Sequence, residues 1–531
     1  MPNDCVTYQN SGYFSKLIVD YLDEKSELQS LYNRFPKIDN FQGQIDEKSK
    51  NFPFENRQIL ATELEKQYEN FEVSESTSQN IQLLKLSNTY TIATGHQLNL
   101  FTGPLYFLYK IASAIKLCKE LKSKYPSHNF VPIYWMATED HDFDEINYFN
   151  FKDKKFRWNR ESNGPVGRLS TEGLDLVYDA FSKEIGIGRN ANYLLDLFKK
   201  SYLEHQNLAS ATRFLANELF KNEGLVIVDG DSKELKKLFV PHIKKELVEQ
   251  ISFQKVNETL PKLKDYNIQV NPREINLFYI QNELRERIIF DKGNYKINNK
   301  LLSFSESEIL TELNKNPENF SPNVILRPLY QEIILPNLCY IGGGGEIAYW
   351  LELKSNFEAN NVTFPMLLVR NSMLLVTEKQ ASKLDKLGLS WNDIFMSQKQ
   401  LSDKKTKEFS AFTIDFSKQK AILKEQFKTL LEIASQTDKS FIGAVKAQEA
   451  KQLKGLENLE KRLLKAERKN HVSKLDRIFE IQNELFPNKS LQERNQNLTS
   501  FVSEVDDFES FVTKIITELL PLEQKFSITI L

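Results

Sequence analysis

Residues 90–137 read YTIATGHQLNLFTGPLYFLYKIASAIKLCKELKSKYPSHNFVPIYWMA, and this stretch decides the fold. A short β-prone segment at 90–93 leads into a turn that contains Gly95, and a long amphipathic run follows. Residues 130–137 are then almost continuously apolar, as is typical of a strand buried on both faces of a parallel sheet. The order strand, turn, helix, strand predicts one βαβ unit.

The rest of the chain extends this unit in two ways. Residues 224–229 and 364–372 carry the same buried-strand signal, and residues 272–305 alternate apolar runs with turn residues, which indicates a β-meander. Beyond about residue 390, apolar residues are spaced three and four apart among Lys, Glu and Gln, which predicts a helical hairpin or coiled coil. We therefore predict an α/β fold with a parallel-sheet core, helical insertions and a C-terminal α-helical coiled coil.

The composition is that of a folded, nearly neutral chain of 531 residues. Hydrophobic residues make up 40% and charged residues 27%, which is enough for a large core. The net charge of −2 gives no reason to expect nucleic acid or an acidic membrane as a partner. We interpret the basic excess within 446–470 as a solvated helix face rather than a nucleic-acid arm.

The three cysteines, Cys5, Cys118 and Cys339, are far apart and have neither CxxC nor zinc-knuckle spacing. An odd number of cysteines is a poor disulfide framework, so we expect a reducing compartment. The N-terminal residues do not have the pattern of a signal peptide, and no run approaches the ~20 apolar residues of a membrane span. We expect a cytoplasmic protein.

The first candidate site is the turn Thr94-Gly95-His96-Gln97 with Asn99, where a strand meets a helix. Open α/β sheets bind ligands at the carboxyl ends of their strands, and helix N-termini attract phosphate. His96 is suited there to hold a phosphate or to stabilise charge on a leaving group. The alternative is a glycine-assisted turn with a structural histidine and glutamine.

The second candidate is the acidic loop Glu139-Asp140-His141-Asp142, directly after a buried strand. Like charges packed together raise carboxylate pKa values and favour general-base work, or they gather a cation such as Mg²⁺. The alternative is a solvated loop that caps the next helix. A zinc site needs three or four fixed ligands, and adjacency in sequence does not show that His96, Asp140 and His141 converge.

The third candidate is the run Gly342-Gly343-Gly344-Gly345, followed by Glu346 and Tyr349. Glycines before a helix let the backbone approach a ligand closely, and Glu346 and Tyr349 share a helix face. The run lacks the Lys-Ser/Thr of a P-loop and the dinucleotide-binding spacing, so a tight turn is the alternative.

Arg327 and Arg370 each follow an apolar run, and Asn371 follows Arg370. A guanidinium presents a two-pronged fork that matches a carboxylate or a phosphate. The two arginines are therefore candidates for an anion clamp, and ordinary surface arginines are the alternative.

Four stretches together resemble the cysteine-adding enzymes of bacillithiol biosynthesis: TGHQLNLFTGPLYFLYK, VPIYWMATEDHDFDEI, SPNVILRPLYQEIILPNLCYIGGGGEIAYWLELK and FPMLLVRNS. The match runs from about residue 90 to 375, and the helical tail also fits. The resemblance implies a Rossmann-like core related to class I aminoacyl-tRNA synthetases and nucleotidyltransferases, and a homodimer formed through the coiled coil. The implied reaction joins the carboxyl group of cysteine to the glucosamine amine of glucosaminyl malate, the last step to bacillithiol.

The resemblance also implies roles for the candidate residues. Ala93-Thr94-Gly95-His96 falls where the synthetase HIGH signature would lie, with Ala93 in place of the first histidine, and residues 379–383 do not have KMSKS spacing. His96 would bind phosphate or leaving-group charge, and Asp140, His141 or Asp142 would bind the amine or accept its proton. The glycine run with Glu346 would shape the sugar or nucleotide pocket, and Arg327 or Arg370 would pair with the malate carboxylates. The expected cofactor is ATP or ADP with Mg²⁺, and no zinc is expected.

Six segments follow from these patterns and the resemblance. They are an N-terminal helical segment (1–82), the first half of the core (83–155), a helical connective insertion (156–220), the second half of the core with a meander at about 268–310 (221–390), the coiled coil (391–500), and a C-terminal helix and strand (501–531). Two other functions stay open: a non-catalytic nucleotide- or substrate-binding dimer acting with a partner enzyme, and a metal-dependent hydrolase built on the acidic loop.

Overall fold

A five-stranded parallel sheet forms the centre of the computed structural model, which describes residues 6–531. Cys5 and the first five residues of the predicted segment 1–82 lie outside the described residues. The strands are β1 (Thr89–His96), β2 (Asn129–Met136), β3 (Tyr148–Phe151), β4 (Lys154–Arg157), β5 (Val226–Asp229), β6 (Leu277–Gln281), β7 (Leu284–Asp291), β8 (Asn294–Ile297), β9 (Ser303–Phe304), β10 (Phe320–Pro322), β11 (Asn337–Gly342), β12 (Met366–Val369), β13 (Met373–Val376) and β14 (Ser527–Ile530).

Helices cover the sheet and make up most of the remaining chain. None of those within residues 6–531 combines the length and apolar character needed to cross a bilayer. They are α1 (Lys16–Leu22), α2 (Phe41–Asn51), α3 (Phe54–Gln67), α4 (Glu75–Leu83), α5 (Tyr106–Lys124), α6 (Phe143–Ile146), α7 (Leu174–Ile185), α8 (Arg189–Tyr202), α9 (Leu208–Leu219), α10 (Lys233–Glu249), α11 (Ile251–Thr259), α12 (Glu306–Lys315), α13 (Arg327–Ile334), α14 (Gly344–Trp350), α15 (Lys354–Ala359), α16 (Glu378–Lys386), α17 (Trp391–Phe395), α18 (Gln398–Phe409), α19 (Ser417–Ala434), α20 (Lys439–Asn470), α21 (Val472–Leu485), α22 (Gln492–Asn495) and α23 (Phe508–Glu518).

The central sheet has the strand order β12-β11-β1-β2-β5, and every neighbouring pair is parallel. The predicted βαβ unit is confirmed as β1, α5 and β2, with Thr89 opposite Asn129 and His96 opposite Met136. The chain builds outward from β1 to β2 and β5, and then returns to the other side of β1 with β11 and β12. The order therefore reverses between β1 and β11, and this is the position at which open α/β sheets bind ligands.

One face of the sheet packs against α2 and α5 in a continuous apolar cluster. Ile92, Leu117 and Met366 are fully buried there, together with the thiols of Cys118 and Cys339. Every residue of β1 and of β11 is buried, because a parallel strand covered on both faces has no side exposed to water.

Two antiparallel elements lie outside the central sheet. The meander has the order β10-β6-β7-β8-β9, with Phe278 of β6 opposite Arg287 of β7. The hairpin β3–β4 was not predicted. Its turn residues, Lys152 and Asp153, have φ of 47° and 59°, as a type I′ turn requires, but without the Asn-Gly or Asp-Gly pair that marks such turns in a sequence.

The chain divides into two compact units, one of residues 7–377 with 490–531 and the other containing residues 378–489. Within the second unit, α19 and α20 form an antiparallel hairpin around Phe427, Ala434 and Val445. Lys420 and Glu460 close its open end at 2.6 Å. This hairpin confirms the α-helical C-terminal region, while the six segment boundaries stay predictions.

Candidate active site

A cavity of about 730 Å³ opens at the carboxyl ends of β1, β2 and β11, where the strand order reverses. Parallel strands end at the same edge of a sheet, so the turns that follow them meet although they are far apart in the sequence. The sequence-predicted residues that line this cavity are Gly95, His96, Gln97, Glu139, Asp140, His141, Asp142, Arg327, Glu346 and Tyr349.

Other predicted residues hold the framework behind the cavity. Thr94 donates through Oγ1 to the carbonyl of Ile341 at 2.8 Å, which ties β1 to β11. The side chain of Asn99 donates to the carbonyl of Glu145 at 3.3 Å. The residues of the predicted site that do not line the cavity are Thr94, Asn99, Gly343, Gly344, Arg370 and Asn371.

The side chains of Arg370 and Asn371 make their contacts in the protein interior and do not line the cavity. The Arg370 guanidinium is buried and lies 2.7 Å from Glu493, which neutralises it. The Asn371 amide donates to the carbonyl of Leu520 at 2.9 Å. Of the two arginines predicted as an anion clamp, the structure brings only Arg327 to the cavity. There the Arg327 guanidinium donates to the Tyr349 hydroxyl at 3.4 Å and lies over the ring of Tyr340.

His96 ends β1 and is 7% exposed. Its Nδ1 lies 2.8 Å from the carbonyl of Gln97, and because a carbonyl only accepts, Nδ1 carries the hydrogen. Its Nε2 is buried and has no hydrogen-bond partner among the described residues. Burial, and then the nearby Lys110 cation, lower the pKa of His96 to about 3, so the ring is neutral and presents a lone pair.

Lys110, which the sequence analysis did not single out, lies one turn into α5. Its Nζ is 2.7 Å from Oε2 of Glu346 and also contacts the carbonyl of Gly95. The Glu346 carboxylate further accepts from the Tyr340 hydroxyl at 2.7 Å and from the Gly343 N–H at 2.8 Å. The single lysine inside the mostly apolar run 105–115 was the signal that could have identified it.

Glu346 stays ionised in spite of its position. Burial would raise its pKa, but Lys110, the Gly343 N–H and the Tyr340 hydroxyl outweigh burial and lower the pKa to about 2. The carboxylate therefore fixes the glycine turn as a helix cap. Within this turn Gly344 lies close to another segment, since a Cβ on Gly344 would be 3.4 Å from Phe14.

Asp140 and Asp142 respond to their surroundings in opposite directions. Burial would raise the pKa of Asp140, but hydrogen bonds from His141 and from Gln97, at 3.0 Å, hold it below its usual range. Burial and the neighbouring Asp140 charge raise the pKa of Asp142. When neighbouring carboxylates have pKa values shifted in opposite directions, one typically stays ionised and the other exchanges a proton. Here Asp140 would be the fixed anion and Asp142 the proton acceptor.

The carboxylate of Glu139 already has an ion-pair partner outside the acidic loop. Its carboxylate forms an ion pair with Lys236 of α10, whose side chain is completely buried. The charge of Glu139 is therefore already balanced, and Asp142 is the carboxylate of the loop that accepts no hydrogen bond within the described chain.

The ligand atoms of Asp140, His141 and Asp142 all lie within 4.8 Å of one another. Carboxylate oxygens are the ligands that Mg²⁺ prefers, so Asp140 and Asp142 fit such an ion. Nδ1 of His141 accepts from the Arg285 guanidinium at 2.6 Å, which occupies its lone pair. The expectation that no zinc is bound stays a prediction.

The meander supplies basic residues that the sequence analysis missed. Arg273, Arg285 and Arg287 line the cavity, and the Arg285 guanidinium lies 3.9 Å above the ring of Phe278. The spacing of two residues between Arg285 and Arg287 was the available signal, because residues i and i+2 of a strand lie on one face.

Fold and cavity together define a Rossmann-like protein with a cavity lined by several charged residues at the switch point of its sheet. Family models match the whole length in two parts. Residues 1–371 match "Bacillithiol biosynthesis BshC, N-terminal Rossmann-like domain", and residues 373–531 match "Bacillithiol biosynthesis BshC, C-terminal coiled-coil domain". The chain belongs to the BshC family of bacillithiol biosynthesis.

Close relatives agree with this assignment over nearly their full length. A Flavobacterium johnsoniae protein named "Putative cysteine ligase BshC" is 64% identical over 528 residues, which are 99% of both chains. Proteins of the same name from Flavobacterium psychrophilum and Christiangramia forsetii are 63% and 56% identical, again over 99% of both chains.

Proposed function

We propose that this protein is a carbon–nitrogen ligase that joins the carboxyl group of cysteine to the amine of glucosaminyl malate to form bacillithiol. Family membership supports the reaction, since close relatives carry the name "Putative cysteine ligase BshC". The observation that carries the proposal is the single cavity lined by His96, the loop Asp140–Asp142 and Glu346.

Amide formation needs a neutral amine next to an activated carboxyl group. The amine nitrogen attacks the carbonyl carbon, the bond to the leaving group breaks, and the amine loses a proton. Asp142, whose pKa is raised, is the acceptor of that proton. The lone pair on Nε2 of His96 accepts a hydrogen bond from the amine and orients it.

ATP or ADP with Mg²⁺ is the proposed co-substrate. The nucleotide supplies the activation of the carboxyl group, as an adenylate or an acyl phosphate. Asp140 would hold the metal ion, since its carboxylate oxygens lie at the cavity and the carboxylate of Asp142 is used to accept the proton. The Arg327 guanidinium faces the same space and pairs with an anionic group of the substrate.

The protein is further proposed to act as a cytoplasmic homodimer formed through its helical hairpin. Exposed apolar side chains on α19 and α20 support this association, since contiguous apolar surface favours burial against a second copy. These side chains are Ile422, Leu430, Ile433, Phe441 and Leu459.

Purified protein incubated with cysteine, glucosaminyl malate, Mg²⁺ and either ATP or ADP tests the ligase. Mass spectrometry should detect bacillithiol with one nucleotide and none without nucleotide. The variant Asp142→Asn should lose the product about 10²- to 10⁴-fold while it keeps its fold. Absence of product with both nucleotides would contradict the ligase, and release of cysteine from bacillithiol would favour the hydrolase.

A further inference from the structure

One wall of the cavity is basic and comes from a single segment. Residues 273–287, which include β6 and the start of β7, bring Arg273, Arg285 and Arg287 to the cavity. The acidic loop, which Arg285 contacts through His141, brings Asp140 and Asp142 to the same cavity. The cavity therefore has walls of opposite charge.

The geometry of β7 places its two arginines together. Arg285 and Arg287 are two residues apart, so both lie on one face of the strand. Phe278 is opposite Arg287 in the ladder, and its ring supports the Arg285 guanidinium. Arg285 also donates to His141, so its orientation is determined by contacts on two sides.

Arg273 and Arg287 differ from the other charged groups of the cavity. Within residues 6–531 neither guanidinium has an ion pair or a hydrogen bond, and both are exposed. The nearby carboxylates are already engaged, Glu139 with Lys236 and Glu346 with Lys110. Two positive charges therefore face the cavity without compensation.

We infer that Arg273 and Arg287 bind the two carboxylates of the acceptor substrate, the malate group, and so select a dicarboxylate. This inference rests on the proposed function. A guanidinium binds a carboxylate through two parallel hydrogen bonds, so two unpaired arginines at one cavity supply one such group for each carboxylate of a dianion. A substrate with a dianion at one end and an amine at the other is oriented by the two walls, with its amine towards Asp142.

Calorimetric titration of the full chain with malate and with glucosaminyl malate tests the inference. Arg273→Gln and Arg287→Gln should each raise the Kd for both ligands about tenfold or more. Arg287→Lys keeps the positive charge but loses the two-pronged guanidinium. Its Kd for both ligands should therefore lie between the Kd of Arg287→Gln and that of the unchanged protein. Arg189→Gln, an exposed arginine away from the cavity, is the matched control and should bind as the unchanged protein does.

Equal Kd values in all variants, or no binding of malate and glucosaminyl malate to the unchanged protein, would overturn the inference. A loss of ADP affinity without a loss of malate affinity would overturn it too, since the arginines would then bind phosphate.

Product formation, measured in parallel, separates this inference from the ligase proposal. If the variants lose malate affinity but the unchanged protein makes no bacillithiol, the carboxylate site stands and the ligase fails. If bacillithiol forms with the same KM for the acceptor in every variant, the ligase stands and the carboxylate site fails.

Discussion

Lys110 and Glu346 form an ion pair of 2.7 Å although 236 residues separate them in the chain. Lys110 lies on the helix after β1, and Glu346 lies on the helix after β11. The pair therefore bridges the two strands between which the sheet order reverses. It also places a fixed cation and a fixed anion beside His96.

Replacing Lys110 with Met should destabilise the protein strongly. The change leaves the Glu346 carboxylate without its cation, and breaking one side of a buried pair costs about 3–5 kcal/mol. Urea unfolding measures the loss. The double variant Lys110→Met/Glu346→Gln should recover much of it, because no uncompensated charge is left. Equal losses in the single and double variants would contradict the role of the pair.

Stability should depend on pH through Glu346. Its pKa falls from the ordinary value of 4.5 to about 2 on folding, so its contribution is present above pH 4.5 and is lost as pH falls towards 2. The difference in free energy of unfolding between the unchanged protein and Glu346→Gln should therefore shrink between about pH 5 and pH 2. Denaturant unfolding at several pH values measures this difference. A difference in free energy of unfolding that does not change with pH would refute the prediction.

Removing the His96 ring should lower kcat/KM for amide formation by about 10²- to 10⁴-fold. Because the pKa of His96 is about 3, its ring is neutral at physiological pH, and the pH–rate profile should have no inflection from it near neutrality. His96→Asn keeps an acceptor and should retain more activity than His96→Ala.

His128 precedes β2 at the opposite end of the sheet, so His128→Asn is the control and should keep near-normal activity. An inflection near pH 6.5 that disappears in His96→Asn would show a charged role instead.

Gly103→Ala should destabilise the turn between β1 and α5. Gly103 has a φ of +60°, and an added Cβ would lie 2.6 Å from the Cβ of Asn99. Backbone in this region costs other residues about 1–3 kcal/mol. Gly443→Ala in α20 meets no atom within 4 Å and should instead stabilise by about 0.5–1 kcal/mol. Thermal unfolding of the two variants checks the opposite signs, and two changes of the same sign would be inconsistent with the prediction.

Local patterns predicted the elements of the core well. The apolar run 130–137 and the turn at Gly95 were sufficient for β1, α5 and β2, because burial on both faces leaves a clear mark on a strand. The hairpin β3–β4 was missed because Lys152 and Asp153 adopt positive φ without the residues that usually mark it.

The candidate site was predicted in part. The acidic loop and Glu346 stood out by charge density and by position after strands, and they do line the cavity. Lys110, Arg273 and Arg287 did not stand out, since lysines in helices and arginines in or near strands are ordinary in any sequence. Arg370 resembled Arg327 in sequence but pairs with Glu493, a partner more than a hundred residues away.

The sequence by itself determined the α/β class, the βαβ unit and the family, because these depend on the spacing and order of residues along the chain. Only the tertiary structure decided that His96 is a neutral acceptor and that the meander supplies a basic wall. Both depend on burial and on neighbours from distant segments, and a residue's ionisation responds to the charges around it in space rather than to those beside it in the chain.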